Sequence, residues 1–385
     1  RVHIMVNRRI SRITRRSVLG TGLFVGSSLL LKACGSPQAT TEPAAEGEES
    51  AATEEAVDGV VGGSVIAVAY PGAWEEAHRE VVASQVKSNK DVDATIVPLL
   101  ANDQVAQLVA APDNPPFDVC LLDEGPFRAA PREDILQPFP AELSPSFAKL
   151  FPDFQGGEEG WGPTVAVTAI GIGYNADKYD APPVGWEDLW NPENAGRVGL
   201  VTMNSSLGTA FMVEVAKRFG GSEADIEVAF EKIQELLPDV AAVAPSPGAL
   251  ATLLQQGEVD IAPLYLNDIL AMREAGLNMG WAVPEGGSIG IRATMSIVKN
   301  PQASVEAAAA YIDTVISEEA QNTLAAPPYF FGPTNSAVQL SGPFEELFSS
   351  SDPQDFIAEL QYLDWDTINL SRADWIERFN REVTV

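Results

Sequence analysis

Residues 117–126 read FDVCLLDEGP, an apolar run between carboxylates. Four consecutive apolar residues, Val119 to Leu122, are typical of a short strand that is buried on both faces. Upstream, further strands are predicted at 64–70 and 95–99, and helices at 73–87 and 103–110. Strands that alternate with helices predict a mainly parallel sheet with helices on both sides. The sequence therefore predicts an α/β fold.

The same alternation continues downstream of residue 163. Strands are predicted at 164–174, 197–203, 240–244, 261–265, 280–283 and 291–298, and helices at 186–190, 206–219, 225–237, 248–256, 266–275, 304–317 and 318–325. Glycine-rich crossings at 169–173 and 286–290 indicate that the chain passes into a second lobe and returns. We expect two mixed sheets flanked by helices, joined by a two-strand hinge, with a ligand bound in the cleft between them.

These patterns divide the chain into five segments. The predicted segments are a signal peptide (1–34), a disordered acidic tether (35–61), lobe 1 (62–166 plus 292–345), lobe 2 (167–291) and a C-terminal helical segment (346–385). The tether is assigned because its Ala, Glu, Thr, Ser and Pro residues cannot bury enough apolar surface to order a chain.

The first 35 residues predict export. Residues 14–19 read TRRSVL, a twin-arginine pattern, and the apolar stretch that follows is too short to span a bilayer. The sequence LKACG at 31–35 resembles a lipoprotein box, so we expect lipid on Cys34; an ordinary cleaved leader is the alternative. The predicted location is the periplasm or outer cell surface, reached by the twin-arginine route.

Charge and rare residues exclude several classes of function. The formal net charge is −30, which argues against binding to nucleic acid or to an anionic membrane surface except through the lipid anchor. Outside the leader the chain has one cysteine, Cys120, and one histidine, His78. It therefore has no disulfide framework, and no cluster for a metal, a cofactor or histidine-based catalysis is expected. We do not expect an enzyme.

Several motifs occur in the order found in one protein family. They are YPGAW at 70–74, FDVCLLDEGP at 117–126, IGIGYN at 170–175, WEDLWNP at 186–192 and FGPTN at 331–335. With these motifs the chain resembles the solute-binding proteins of ABC importers, in the spermidine/putrescine-binding branch, over about residues 62 to 345.

The resemblance implies a type II periplasmic-binding-protein-like fold whose two lobes close on a small polar solute. It also implies an ABC permease with its ATPase as partner, and a monomer. Polyamine binders of this family hold ammonium groups with carboxylates and the methylene chain between aromatic rings. Tyr70, Asp123 and Tyr265 match such positions, whereas the second-lobe acids are replaced by MNSSL at 203–207 and a late Trp-x-Asp pair by Ile-Arg-Ala at 291–293. The resemblance thus leaves the charge of the solute open.

The candidate ligand-binding residues fall into two groups. A cation would be held by aromatic and acidic residues near predicted strand ends: Tyr70, Trp74, Asp123, Glu124, Tyr265, Asn267 and Asp268. A carboxylate or phosphonate would be held by a serine-rich helix start and one arginine: Ser205, Ser206, Gly208, Thr209 and Arg292. A zwitterion would use both groups. Helix capping, core packing and surface charge are the alternative explanations for these residues, and a sensory binding protein is the alternative to a transport protein.

Overall fold

A computed structural model describes residues 60–156 and 160–383 of the protein. The predicted leader with Cys34, and all of the predicted tether before residue 60, lie outside the described residues. Within the described ranges, every helix is too short or too polar to cross a membrane.

In the part of the chain that the structure describes, nine strands form a mixed sheet. They are β1 (Ser64–Ala69), β2 (Asp93–Pro98), β3 (Val119–Asp123), β4 (Thr164–Asn175), β5 (Val198–Val201), β6 (Val240–Ala244), β7 (Ile261–Tyr265), β8 (Met279–Ala282) and β9 (Ile289–Ile297). Their order in the sheet is β2-β1-β3-β9-β4-β7-β5-β6, and β8 also pairs with β4. We call β2, β1 and β3 the first half of the sheet, and β7, β5 and β6 the second half. Within each half the strands are parallel.

The two halves are joined by the long antiparallel pair of β4 and β9. The first part of β4 pairs with β9, and from Ile170 onwards β4 pairs with β7. In turn, β9 pairs with β3. The predicted α/β class is confirmed, but the two expected sheets are hydrogen-bonded into one. The glycine-rich crossings meet here, since Ala169 is paired with Gly290 at the middle of the sheet.

Helices cover the sheet. They are α1 (Ala73–Ala77), α2 (Ala83–Lys90), α3 (Ala101–Ala110), α4 (Glu124–Ala129), α5 (Ser206–Arg218), α6 (Glu227–Leu236), α7 (Pro247–Gln255), α8 (Leu266–Glu274), α9 (Val305–Val315), α10 (Glu318–Leu324), α11 (Pro343–Phe348), α12 (Pro353–Ala358), α13 (Trp365–Asn369) and α14 (Arg372–Glu382). A π-helical turn, His78–Val82, connects α1 to α2, and 3-10 turns occur at Ala130–Glu133, Ala141–Leu143, Phe147–Lys149, Pro152–Phe154, Ala176–Lys178, Trp186–Trp190, Pro192–Asn194 and Leu237–Asp239.

The core lies on both faces of the sheet, as the continuous apolar strands predict. On β3, Val119 and Leu121 pack into the larger apolar cluster, whereas Cys120 and Leu122 pack into a smaller one on the opposite face. Cys120 is fully buried and reduced, and burial raises the pKa of its thiol to about 12. Its role as a core residue agrees with its position in an apolar run.

The C-terminal helices contact both halves of the sheet. Asn369, on α13, donates a 2.8 Å hydrogen bond to the carbonyl of Gly125 on α4. On α14, Arg378 forms an ion pair with Glu227 on α6 at 2.5 Å. Before these two helices, Gln361 is hydrogen-bonded to the backbone of Ser288 and Gly290 at the start of β9. Residues 361–382 therefore form a bridge across the molecule, which we call the C-terminal bridge.

Candidate functional site

A cavity of about 70 Å³ lies beyond the carboxyl ends of the parallel strands, between the two halves of the sheet. It is lined by Tyr70, Pro71, Ala73, Trp74, Leu100, Ala101, Asp123, Asn204, Ser205, Ser206, Ser246, Pro247, Gly248, Tyr265, Asn267 and Asp268. Because strand ends of both halves contribute, this is the position at which α/β sheets ordinarily bind their ligands. We call it the central cavity.

Each polar residue of the central cavity is placed by the end of a strand and the start of a helix. Asp123 is the last residue of β3 and directly precedes α4. Ser205 caps α5, its hydroxyl accepting a hydrogen bond from the amide of Gly208 at 3.1 Å. Ser246 caps α7 in the same way, through the amide of Ala249. Tyr265 ends β7, and the first turn of α8 carries Asp268.

The position of Asp268 is fixed by a chain of hydrogen bonds that starts on β4. The hydroxyl of Thr168 donates to Oδ1 of Asn267 at 2.7 Å. The amide of Asn267 then donates to Oδ1 of Asp268 at 3.3 Å. Asn267 thereby holds one oxygen of Asp268, while Oδ2 is buried and has no hydrogen-bond partner among the described residues.

Two further buried oxygens in the central cavity have no hydrogen-bond partner in the described structure, namely Oδ1 of Asp123 and the hydroxyl of Tyr70. Burial raises the pKa of Asp123 above its ordinary value and raises that of Asp268 to about 7. Burial also raises the pKa of Tyr70 and Tyr265 well above the ordinary value, so both phenols stay neutral. Buried polar atoms without partners are costly, and a ligand that donates hydrogen bonds would satisfy them.

An aromatic wall closes one side of the cavity. The ring of Trp74 is stacked on Phe331 with centroids 4.2 Å apart, and Tyr70 meets Trp74 edge-on at 5.7 Å. Behind Trp74, Nδ1 of His78 is 2.6 Å from the hydroxyl of Tyr311. Burial lowers the pKa of His78 to about 4, so this imidazole is neutral near pH 7. Trp74 therefore serves both as a cavity wall and as part of the core.

Arg372 supplies a positive charge just outside the lining of the central cavity. This residue begins α14 and is only 4% exposed. Its guanidinium donates hydrogen bonds to the hydroxyls of Thr209 at 3.1 Å and Ser206 at 3.4 Å. The charge of Arg372 also lowers the pKa of Asp123, against the larger effect of desolvation.

The structure brings eight of the twelve predicted ligand-binding residues to the central cavity. These eight are Tyr70, Trp74, Asp123, Ser205, Ser206, Tyr265, Asn267 and Asp268. Gly208 and Thr209 lie inside α5 and are buried away from the cavity. Gly208 is needed for close packing, since a Cβ there would lie 2.2 Å from the carbonyl oxygen of Thr202. Thr209 holds Arg372.

Glu124 and Arg292 line a different cavity of about 410 Å³. Arg292 lies 3.8 Å from Glu124, and its guanidinium covers the ring of Tyr362 at 4.3 Å. The expected grouping of Arg292 with the serine-rich helix start is therefore wrong. Neighbouring residues of a strand point to opposite faces, so Arg292 takes the face opposite to that of Ala293, the partner of Asp123 in the ladder.

Sequence reasoning missed Arg372, Asn204 and Ser246. A signal for Ser246 was present, since it follows a predicted strand and precedes a predicted helix, just as Ser205 does. Asn204 had a similar signal, and its backbone carbonyl accepts a 2.7 Å hydrogen bond from the side chain of Asn102. Arg372 had no such signal, because it lies in a C-terminal amphipathic helix far along the chain.

Comparisons with known proteins agree with this architecture. The spermidine/putrescine-binding periplasmic protein of Salmonella typhimurium is 28% identical over 127 residues, which cover 31% of this chain and 35% of that protein. The chain thus spans about a third of the length of the curated relatives it matches.

Two solved structures illustrate the likeness of fold. The periplasmic binding protein AfuA of Actinobacillus pleuropneumoniae, with fructose-6-phosphate bound, has a TM-score of 0.69 at 20% identity, covering 84% of this chain and 99% of that one. The spermidine/putrescine substrate-binding protein PotD of Streptococcus pneumoniae, in complex with calcium and HEPES, has a TM-score of 0.63 at 15% identity, covering 82% and 99%.

A match to a sequence profile establishes the family to which the chain belongs. The profile described as bacterial extracellular solute-binding protein matches residues 114–354, which is more than half of the chain. The match includes β3 and β7, which end at Asp123 and Tyr265, and Ser205, the cap of α5. The resemblance to solute-binding proteins is confirmed, and this chain belongs to the bacterial extracellular solute-binding protein family.

Proposed function

We propose that this protein captures a small amine-bearing cation in the central cavity and delivers it to the permease of an ABC importer. The observation that carries the proposal is the set of three buried oxygens, on Tyr70, Asp123 and Asp268, that have no hydrogen-bond partner among residues 60–156 and 160–383. An ammonium group donates hydrogen bonds and accepts none, so it matches a buried carboxylate in a cavity whose unpartnered atoms are acceptors.

The charges around the central cavity favour a cation over an anion. Two carboxylates line the cavity, and its described lining contains no lysine, arginine or histidine. Arg292, which an anion would have needed, lies in the other cavity. A buried charge requires a partner of opposite sign, so a carboxylate or phosphonate would meet repulsion here.

The walls and the volume of the cavity favour a compact solute. Trp74, Tyr70 and Tyr265 offer aromatic surfaces, which attract an ammonium ion through the ring face and pack against methylene groups. The volume of about 70 Å³ is well below that of sites for drug-sized ligands. Membership of the solute-binding family supports transport as the purpose of binding, with the β4–β9 pair as the hinge between two closing lobes.

Isothermal titration with a panel of small amines and matched carboxylates tests the proposal. We expect at least one amine to bind saturably and the carboxylates to give no heat. Asp268→Asn and Asp123→Asn should each weaken amine binding by roughly tenfold to a hundredfold, because each removes a charged hydrogen-bond acceptor. Asp113→Asn, at an exposed aspartate, is the matched control and should bind like the wild type. Binding of carboxylates, or silence of the whole amine panel, would overturn the proposal.

A further inference from the structure

The central cavity has two carboxylates but only one of them lacks a nearby positive charge. Arg372 lies on the Asp123 side of the cavity, since its guanidinium donates a hydrogen bond to the lining residue Ser206 and its Nη1 lies beside Gly125, two residues after Asp123. The electrostatic partners of Arg372 are Asp123, Tyr265 and Tyr70, whereas only burial shifts the pKa of Asp268. Ser206, which is hydrogen-bonded to Arg372, lines the central cavity together with Asp123.

Arg372 is built into this position. Its guanidinium lies over the ring of Trp365 at 5.3 Å and is hydrogen-bonded to Thr209 and Ser206. Space for it depends on Gly125, where a Cβ would be 2.6 Å from Nη1 of Arg372 and 2.7 Å from Trp365. A buried arginine that is held on several sides in this way is a fixed charge of the site.

The balance of charges in the cavity then limits how many positive charges the solute can carry. Even when Asp123 and Asp268 are both ionised, the positive charge of Arg372 limits the net charge of the region to about −1, which one ammonium group neutralises. The neighbouring Glu124 does not change this balance, since Arg292 lies beside it. A diamine would leave one positive charge uncompensated in a buried site, next to a second cation.

We infer that Arg372 is a specificity-determining residue, which makes the central cavity select solutes with one ammonium group over diamines. The inference rests on the proposed function and narrows it to monoamines. The ammonium group binds at Asp268, and the other end of the solute is an uncharged hydrogen-bonding group at Asp123. Arg372 acts through Asp123 without lining the cavity, so it is a positioning residue.

Two probes of the same length test the inference: 4-amino-1-butanol, with one ammonium group, and putrescine, with two. We expect the wild type to bind 4-amino-1-butanol at least tenfold more tightly than putrescine. In Arg372→Met, which keeps the bulk and removes the charge, this ratio should fall by roughly tenfold or more, because a neighbouring like charge shifts such equilibria by that factor. Arg372→Lys keeps the charge and should restore the wild-type ratio.

The ratio of the affinities for the two probes shows whether Arg372 determines specificity or only supports the structure. A purely structural role of Arg372 would weaken both probes equally in Arg372→Met and leave the ratio unchanged, which would overturn the inference. If neither variant folds, the wild type alone decides, since a preference for putrescine contradicts the inference. Failure of the wild type to bind any amine would instead count against the proposed function, so the two failures are distinguishable.

Discussion

Asp268 is the clearest case of a residue whose burial costs stability in the free protein. Its ordinary pKa is about 4, and burial raises it to about 7 in the folded protein. The folded state therefore holds this proton more tightly than the unfolded state does. The stability that Asp268 contributes is fully present below about pH 4 and is lost as the pH rises to about 7.

Replacing Asp268 by asparagine should stabilise the free protein at high pH. We expect the difference in unfolding free energy between Asp268→Asn and the wild type to grow between pH 4 and pH 7. It should then stay about 4 kcal/mol above its value at pH 4, because each unit of pH between the two pKa values adds about 1.4 kcal/mol and the amide is never charged. Urea unfolding at several pH values measures this difference. Asp113→Asn serves as the control, and a difference that is constant with pH would contradict the prediction.

Gly208 has a structural role, and its substitution should show it. The Cβ of Gly208→Ala would lie 2.2 Å from the carbonyl oxygen of Thr202, so α5 or β5 must shift. We expect a loss of about 1–3 kcal/mol in unfolding free energy, measured by urea unfolding. Gly248→Ala is the matched control in α7, where the nearest atom is 3.6 Å away. That variant should be neutral or slightly more stable, as alanine favours helices. Equal effects at both glycines would refute this explanation.

Among the elements, α14 contacts α6 through the side chain of Arg378. The guanidinium of Arg378 binds both oxygens of Glu227, at 2.5 and 2.9 Å, and lies 4.1 Å from the ring centroid of Phe230. We expect Arg378→Ala to lower the unfolding free energy by about 1–2 kcal/mol, through the lost ion pair and the lost stem packing.

A methionine at the same position separates the two contributions. Arg378→Met keeps the packing over Phe230 and should cost less than about 1 kcal/mol. That cost should shrink in 1 M NaCl, where ion pairs are screened. Thermal unfolding at low and high salt measures both effects. Arg381→Met is the control, because Arg381 is more exposed on the same helix. A salt-independent cost of Arg378→Met would show that the ion pair is irrelevant.

Most of the strands and much of the central cavity could be predicted from the sequence. Strand β7 has the predicted bounds, and Tyr265 at its end lines the cavity. The cavity residues could be predicted because parallel strands bring their carboxyl ends to one edge of the sheet. A residue that directly follows a strand in the sequence is therefore expected at that edge. The rule fails at the crossing strand β9, where sequence did not show which face Arg292 takes.

Arg372 was beyond sequence reasoning for a different reason. It lies 163 residues along the chain from its partner Thr209, and it is in a helix of otherwise surface-like composition. An arginine in such a helix is ordinarily exposed, since burial of its charge requires partners. Those partners, Ser206 and Thr209, come together with it only when the C-terminal bridge packs on α5.

In the molecule as a whole, the C-terminal bridge should respond to ligand binding. Because Arg372 acts on Asp123 from α14, amine binding in the central cavity should slow hydrogen exchange in α14 as well as in α5 and α8. Amide exchange followed by mass spectrometry, with and without a saturating amine, measures this. The edge strand β2 is the internal control and should not change. Protection confined to α5 and α8 would mean that the bridge is insensitive to the cavity.

The single continuous sheet also determines when the molecule can fold. Strand β3 is complete once Asp123 has been synthesised, but β9, which pairs with one of its edges, begins only at Ile289. During synthesis, an apolar strand edge therefore stays unpaired until most of the chain exists, and such edges attract other chains. Closing so long a loop is also slow. Nascent chains of this protein should consequently depend on chaperones that shield β3 until its last neighbour leaves the ribosome.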